Sequence, residues 1–252
     1  MRRIVILLVV LCCPVAFAQL PKVKGVDVDG ALDAAGDLGK AATLSDAEVK
    51  AMAKQMRDYE EKERERVAPA SSASAKRLAK LTKPYQSYDG LALNFKVYES
   101  DEVNANASAD GSVRVYTGLM DLMSDGELMF VIGHEIGHVK LGHTAKAMRS
   151  ALAMSGARKG AASSGTAAGQ LAASELGGVL EAFLNAQYSQ SQETQSDDYG
   201  VALLKQSGGD LTGAESSLRK LADLSGGEHS MLSSHPDPKK RAERVAKLAA
   251  QK

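Results

Sequence analysis

The residues with the clearest chemical meaning lie in the segment HEIGH, which runs from His134 to His138. On an α-helix, residues four apart lie about 40° from each other, one turn along the same face, so two imidazoles at this spacing can converge on one metal ion. Glu135 points to the flank of that face, where it cannot easily be a third ligand but can reach a water molecule at the metal. This pattern is the zinc-hydrolase signature H-E-x-x-H.

The residues around this signature predict the helix that must carry it. Ser124 and Glu127 form a capping box, which is typical of a helix N-terminus. The apolar run over 128–132 predicts a buried helix, and Gly133 and Gly137 allow a neighbouring backbone to come close. The alternative interpretation is a buried structural helix in which the two histidines and the glutamate have no metal to bind.

A catalytic zinc ion takes three protein ligands and leaves a fourth position for water, so a third ligand is needed. His143 is one candidate, but we expect it to lie off the metal face as a surface or packing residue. Glu193 is the better candidate because it begins a predicted helix, with Asp197 four residues later on the same face. Glu193 would bind the ion, and Asp197 would accept a hydrogen bond from a ligating imidazole. A Glu and an Asp at this spacing are common on helix surfaces, so their spacing alone does not settle the assignment.

The N-terminus has the features of a secretory signal peptide. Arg2 and Arg3 precede an apolar run from Ile4 to about Val15, and small residues frame a cleavage site after Ala18. The run is shorter than the about 20 apolar residues that cross a membrane. We therefore expect a periplasmic or secreted protein with no membrane span after signal cleavage.

Both cysteines, Cys12 and Cys13, lie inside this predicted signal. Lipidation of one of them would make an outer-membrane lipoprotein, an alternative that the preceding residues, Leu11 and Cys12, disfavour. Cleavage after Ala18 leaves a mature chain without cysteine, which excludes disulfides, thiolate metal sites and nucleophilic cysteine chemistry.

The charge balance gives no indication of nucleic-acid binding. The full chain has 31 basic and 31 acidic residues, so loss of Arg2 and Arg3 with the signal leaves a small negative excess. No long basic run offers a surface for phosphates. The mature length, the few aromatic residues and the lack of tryptophan fit one globular domain with a helical bias.

The N-terminal half predicts a leader, a charged helix and then a small sheet. Residues 19 to 40 are rich in Gly, Asp and Ala, and a capping box at Ser45 and Glu48 begins a helix that runs to about Val67. Period-two alternation predicts strands at 91–98 and 112–118, directly before the metal-binding helix. We therefore expect a mostly helical α+β fold, in which an edge strand can lie beside the metal and hold an extended peptide.

The C-terminal half is predicted to be helical. Residues 155 to 178 are dominated by Gly, Ala and Ser, and we interpret them as a loop with tightly packed small-residue helix, because no phosphate-binding motif is present. The later helices are predicted at 176–208, with or without a break, at 211–224 and from Pro238 to the end, with His229 and His235 in the loop before the last one.

Four stretches make a known family recognisable: VNANASADGSVRVYTGLM, GHEIGHVKLGH, QYSQSQETQSDDYG and SSHPDPKKRAERV. In order and spacing they resemble the zinc metallopeptidase family of the CAAX prenyl protease and HtpX, most closely its soluble periplasmic LoiP-like branch. We therefore divide the chain into a signal peptide at 1–18, an N-terminal leader and charged helix at 19–74, and a metallopeptidase domain at 75–252.

The resemblance implies a thermolysin-like gluzincin site that holds one zinc ion per chain. His134, His138 and Glu193 would be the ligands, Glu135 would act as general base and acid, and Asp197 would support a ligand from behind. Three positions depart from the family's usual residues, namely Asn106, Gln190 and Ser196, and none of them is a predicted metal ligand.

His235 matches the family's His-Pro position, and three roles remain open for it. It could donate a hydrogen bond to the developing oxyanion, or it could occupy the open zinc position and hold the enzyme latent. It could also be only a loop residue before Pro236.

The resemblance also implies a biological role. Proteins of this branch act in cell-envelope protein quality control, so we expect a zinc-dependent endopeptidase that hydrolyses misfolded or unassembled proteins. Its partners would be unfolded or extended polypeptides and envelope assembly factors or chaperones. One alternative is a non-catalytic periplasmic chaperone or assembly factor with a structural zinc site, although such a site has no need of Glu135. A hydrolase of a non-peptide substrate is a weaker alternative.

Overall fold

The computed structural model describes residues 44–154, 173–224 and 231–250. The predicted signal peptide, the leader at 19–40, His229 and most of the segment at 155–178 lie outside the described residues. These expectations stay predictions.

The first helix, α1 (Asp46–Glu63), begins at the predicted capping box. The Ser45 hydroxyl accepts a hydrogen bond from the Glu48 N–H, and the Glu48 carboxylate accepts one from the Ser45 N–H at 2.9 Å. The helix ends one turn before the predicted end near Val67. Val67 forms an antiparallel bridge with Tyr98 instead, so pairing with the sheet ends the helix.

A second helix leads into the strands. Helix α2 (Ala73–Thr82) and a 3₁₀ turn at Lys83–Tyr85 precede a short antiparallel hairpin of β1 (Ser87–Tyr88) and β2 (Leu91–Ala92). The main sheet has the order β3-β5-β4 and consists of β3 (Asn94–Tyr98), β4 (Ala105–Ala107) and β5 (Ser112–Tyr116). Strand β5 runs parallel to β3 and antiparallel to β4.

The strands differ from the sequence prediction in three ways. The predicted strand at 91–98 is split at Leu93, whose N–H donates to the Gln86 carbonyl. The strand predicted at 112–118 ends at Tyr116, where helix α3 (Thr117–Leu122) begins. Strand β4 was not predicted, because its alanines and asparagine carry none of the β-branched residues that indicate a strand.

Helix α4 (Asp125–Lys140) carries the HEIGH segment and begins at the predicted capping box of Ser124 and Glu127. The remaining helices are α5 (His143–Met154), α6 (Ala173–Leu184), α7 (Gln190–Gln206), α8 (Thr212–Ala222), α9 (Met231–Ser234) and α10 (Pro238–Ala249). The helical region predicted at 176–208 is therefore two helices, α6 and α7. The predicted loop before α10 contains the short helix α9.

The packing of α4 against α7 depends on small residues. A Cβ atom at Gly133 would lie 3.1 Å from the Cα of Gly200, and one at Gly137 would lie 3.2 Å from the Cα of Ser196. Side chains at these two glycines would push the helices apart. The close approach that Gly133 and Gly137 predicted is therefore confirmed, and it sets the distance between the two halves of the site.

The described residues form two apolar clusters. The larger cluster packs the sheet against α4, α7, α8 and α10, and α4 is buried almost throughout. The smaller one joins α1, α5 and α6 and contains Val49, Met52 and Met56 of α1. The mostly helical α+β fold, with a small sheet beside the metal helix, is confirmed. Within the described ranges, none of the helices has the length and apolar composition to cross a membrane.

Candidate active site

Four buried side chains converge between α4, α7 and the turn before α10: His134, His138, Glu193 and His235. Each offers one ligand atom, and these atoms lie within 4.8 Å of one another. The Nε2 atom of His134 lies 3.0 Å from the Nε2 of His138 and 3.2 Å from the Nδ1 of His235. The Glu193 Oε1 lies 3.3 Å from the His138 Nε2 and 3.0 Å from the His235 Nδ1.

This donor set fits a zinc ion, which prefers imidazole nitrogens and carboxylate oxygens. The Nδ1–H of His134 donates to Asp197 at 3.0 Å, so its Nε2 carries a lone pair that faces the other donors. Burial lowers the pKa of His138 well below its usual value, which keeps its imidazole neutral as a metal ligand requires. Converging lone pairs repel one another, and a cation between them removes this repulsion.

Glu193 reaches the cluster because of the way α7 begins. A capping box of Ser189 and Gln192 fixes the first turn of α7, and Glu193 comes directly after it. Burial alone would raise the pKa of Glu193, but the neighbouring His235 and His138 outweigh it and hold the pKa below its usual value. The carboxylate is therefore charged and can bind a cation.

His134 is supported by a charged network. Asp197 accepts its Nδ1–H, as the sequence predicted for one ligating imidazole, and Arg241 donates to the two Asp197 oxygens at 2.6 and 2.9 Å. Arg241 also forms an ion pair with Glu193. The sequence reasoning missed Arg241, although it lies in the recognised stretch after His235. An arginine in the first turn of α10 was the only signal available.

His138 is supported by a neutral group. His143 is 6% exposed, so it is a packing residue and the surface alternative is wrong. It is outside the group of four donors, as predicted, but its Nδ1 lies 3.2 Å from the Nδ1 of His138. The His143 Nε2 lies 3.1 Å from the Oε1 of Gln195 on α7. His143 can thus accept the Nδ1–H of His138 and donate its own Nε2–H to Gln195.

Tyr188 covers the cluster and was also missed from the sequence. Its ring centroid lies 3.9 Å from that of His138 and 5.2 Å from that of His235. Its N–H donates to the Ser234 carbonyl at 3.1 Å, which ties the start of α7 to the residue before His235. Nothing in the periodicity of the chain distinguishes this tyrosine from an ordinary linker residue.

Glu135 faces a cleft of about 210 Å³ beside the cluster. It is buried, and its Oε1 has no hydrogen-bond partner among the described residues and lies 3.5 Å from the His235 Nε2. Burial raises the pKa of Glu135. A carboxylate of this kind at the edge of a metal site can take up and release a proton.

Strand β4 lies along the same cleft. It pairs with β5 on one side, and among the described strands it has no partner on the other. Asn106 and Ala107 of β4 line the cleft together with Glu135, Tyr188 and His235. The cleft therefore combines a metal-binding cluster, a buried carboxylate and a strand edge with free hydrogen-bonding capacity.

An H-E-x-x-H helix, a glutamate from a second helix and an open strand edge in one cleft define a zinc metallopeptidase. The profile of Peptidase family M48 matches residues 73–249, and the chain belongs to this family. It is a metalloendopeptidase that binds one zinc ion, and its substrates are polypeptides.

Two relatives from Escherichia coli K12 match most of the chain. Metalloprotease LoiP is 42% identical over 224 residues, which cover 88% of each chain. Metalloprotease YcaL is 42% identical over 223 residues, which cover 88% of this chain and 87% of YcaL. The beta-barrel assembly-enhancing protease of the same strain is 30% identical over 169 residues, which cover 59% of this chain and 32% of that protein.

Proposed function

We propose that this metalloendopeptidase acts in the cell envelope, where it hydrolyses misfolded or unassembled proteins. The observation that carries this proposal is the open edge of β4 in the same cleft as Glu135 and the metal-binding cluster. A strand edge binds an extended backbone and not a folded surface, so the cleft favours segments that have lost, or not yet gained, their structure.

The envelope location is supported by the predicted signal peptide at 1–18 and by the name of one relative, which associates that protein with β-barrel assembly. We propose a periplasmic protein that meets unassembled envelope proteins or their assembly factors and chaperones. Detection of the mature chain in a periplasmic extract, with its N-terminus after Ala18, is the expected result.

The site residues divide into those that hold the metal and those that move protons. His134, His138 and Glu193 hold the zinc ion, and Asp197 orients His134. A bound zinc ion supplies Lewis-acid chemistry, because it polarises the peptide carbonyl and makes a water molecule more acidic. Glu135 takes a proton from the attacking water and passes it to the leaving amine. The raised pKa of Glu135 suits a group that must keep this proton between the two steps.

His235 has two proposed roles that belong to different states of the enzyme. Its Nδ1 lies 3.0 Å from Glu193 and 3.2 Å from His134, which supports a resting state in which His235 occupies the open position of the metal site. In the working enzyme, the same imidazole would turn towards the peptide carbonyl and donate to the oxyanion. His235 lies directly before Pro236, in the turn between α9 and α10, and this turn would have to move.

The test is cleavage of unfolded casein by the full mature chain, with and without a chelator, beside Glu135→Gln. The chelator should abolish cleavage, and added zinc should restore it. Glu135→Gln should keep about one zinc ion per chain and lose cleavage, because it removes the base and leaves the ligands. Glu215→Gln, at a glutamate that pairs with Arg219 on α8, is the control and should cleave normally.

Cleavage by Glu135→Gln at a rate near that of the unmodified protein would contradict the proposed mechanism. The same assay separates the roles of His235. His235→Ala should lower turnover by about 10²-fold if the oxyanion role limits the reaction, and it should raise turnover if the resting state does. Turnover within about twofold of the unmodified protein would leave His235 as a structural residue.

A further inference from the structure

A group of glutamates lines the same cleft as Glu135. This group, here called the acidic wall, consists of Glu60, Glu65 and Glu102. Glu60 belongs to α1, Glu65 lies just after that helix, and Glu102 lies in the loop before β4. Two of the three residues precede residue 73, where the match to the family profile begins. The acidic wall is therefore largely built by the N-terminal part of this chain.

Glu60 brings a buried acceptor to the cleft. Its side chain is 1% exposed, and its Oε2 accepts a hydrogen bond from the Tyr98 hydroxyl at 3.0 Å and pairs with Arg57. Its Oε1 has no hydrogen-bond partner among the described residues. A buried carboxylate oxygen without a donor is unfavourable, so a positive charge in the cleft beside Glu60 would stabilise it.

The same network positions the strand that would hold the substrate. Arg57 donates from Nη2 to the Oδ1 of Asn106 on β4 at 2.8 Å. The contact joins Glu60, through Arg57, to the open strand edge, so the acidic wall has a fixed position beside an extended peptide.

Glu65 is partly buried and lies near the other two carboxylates of the acidic wall. Burial and the neighbouring carboxylates Glu60 and Glu102 raise the pKa of Glu65 to about 7, against the Tyr116 hydroxyl and Arg57, which lower it. Arg64 also lines the cleft, but its side chain is exposed, and the pKa of Glu65 is raised although this arginine lines the same cleft. A positive charge bound between these carboxylates would remove their repulsion.

We propose that the acidic wall is a substrate subsite for a positively charged group, either a Lys or Arg side chain or a free α-amino group. An ammonium or guanidinium group offers several N–H donors and a positive charge, so it can donate to the accessible carboxylates of Glu65 and Glu102 and stabilise the buried Glu60 beside them. Glu135 lines the same cleft, so this group lies close to the scissile bond. The proposal rests on the peptidase function of the site and adds a substrate preference to it.

The test uses quenched fluorescent peptides that differ at one position near the scissile bond. Arginine is compared with citrulline, which has nearly the same shape and no charge, and each peptide is made with a free and with an acetylated N-terminus. The unmodified protein should cleave the arginine peptide with a kcat/KM about 10-fold higher at one position, as expected for hydrogen bonds to a charged group. A preference for the free N-terminus instead would assign the subsite to an α-amino group.

Substitution of the acidic wall should remove this preference. The double variant Glu65→Gln/Glu102→Gln should lower the arginine-to-citrulline ratio to below about twofold, and Glu102→Gln should give an intermediate ratio. Glu102 is exposed, so its substitution does not threaten folding. The matched control is Glu63→Gln, at an exposed glutamate of α1 that pairs with Lys62 and does not line the cleft.

Binding to the inactive Glu135→Gln variant separates this proposal from the peptidase function. Fluorescence anisotropy should show tighter binding of the charged peptide to this variant, and the difference should vanish when Glu65→Gln and Glu102→Gln are added. Equal binding and equal cleavage of charged and neutral peptides at every position would overturn the subsite, as would a preference that survives the double variant. If the unmodified protein cleaves no peptide, the peptidase function fails, and the anisotropy data still decide the subsite.

Discussion

Helix α4 presents two histidines to the metal, and the groups behind them differ in charge. Behind His134 lie Asp197 and Arg241, a carboxylate and a guanidinium joined by hydrogen bonds of 2.6 and 2.9 Å. Behind His138 lies His143, a neutral ring that continues to Gln195. We call these the charged side and the neutral side of the site.

The charged side and the neutral side have the same function for their histidines. Each supplies an acceptor for the Nδ1–H and so fixes the tautomer that leaves Nε2 free for the metal. The two sides differ in how much the free energy of unfolding falls when a residue is removed. Removal of one charged group leaves its partner buried without compensation, whereas removal of a neutral group removes only a hydrogen bond. The charged side should therefore control folding as well as metal binding, and the neutral side metal binding alone.

The largest effect is expected for Arg241→Met, which removes the guanidinium between Glu193 and Asp197. In the chelated protein, two carboxylates would be left buried together, and the free energy of unfolding should fall by about 3–5 kcal/mol. With zinc present the loss should be smaller, because the cation compensates Glu193. Chemical denaturation with and without a chelator measures both values.

Arg244→Met is the matched control for this prediction. Arg244 lies on the same helix and pairs with Asp198, but this pair is partly exposed, with side-chain exposures of 37% and 46%. Its loss should change the free energy of unfolding by about 0–1 kcal/mol. If Arg241→Met costs no more than Arg244→Met, the charged side has no special role in stability.

The next effect is expected for Asp197→Ala, which keeps Arg241 and removes the acceptor of His134. Zinc affinity should fall by about 10- to 100-fold, as is typical for loss of a group behind a metal ligand, and the protein should still fold. Competition with a chromophoric chelator measures the affinity. An affinity equal to that of the unmodified protein would make Asp197 an ordinary residue of α7.

Local sequence signals predicted the parts of the site that lie on one helix. The spacing of His134 and His138, the capping box and the two glycines each act within α4 or on the helix against it, so the sequence alone was sufficient. Glu193 and Asp197 lie on a second helix, and their spacing alone gave only a weak signal. The family resemblance was needed to select them.

The remaining groups depend on contacts between distant segments. Arg241 lies 44 positions after Asp197 along the chain, and no periodicity connects the two residues. Strand β4 is fixed by pairing with β5 and not by its own composition. The acidic wall forms because α1 packs beside the sheet. In the sequence, the charged residues of α1 resemble a solvent-exposed helix face, but Glu60 among them is buried and lines the cleft.

The smallest effect is expected on the neutral side, for His143→Ala. This change removes the acceptor 3.2 Å from the His138 Nδ1 and leaves a cavity in which water can partly replace the ring. Zinc affinity should fall by about 10-fold or less, the low end of the range for such groups, and the free energy of unfolding of the chelated protein should change less than in Arg241→Met.

His143→Asn shows whether the lost function is the acceptor or the volume of the ring. The Asn side chain can place an oxygen close to the position of the His143 Nδ1, so zinc affinity should return towards that of the unmodified protein although most of the ring is missing. An affinity as low as that of His143→Ala would mean that packing against His138 is what matters. If His143→Ala lowers zinc affinity as much as Asp197→Ala does, the distinction between the charged side and the neutral side is wrong. A charged group behind a ligating histidine would then contribute no more to zinc affinity than a neutral group.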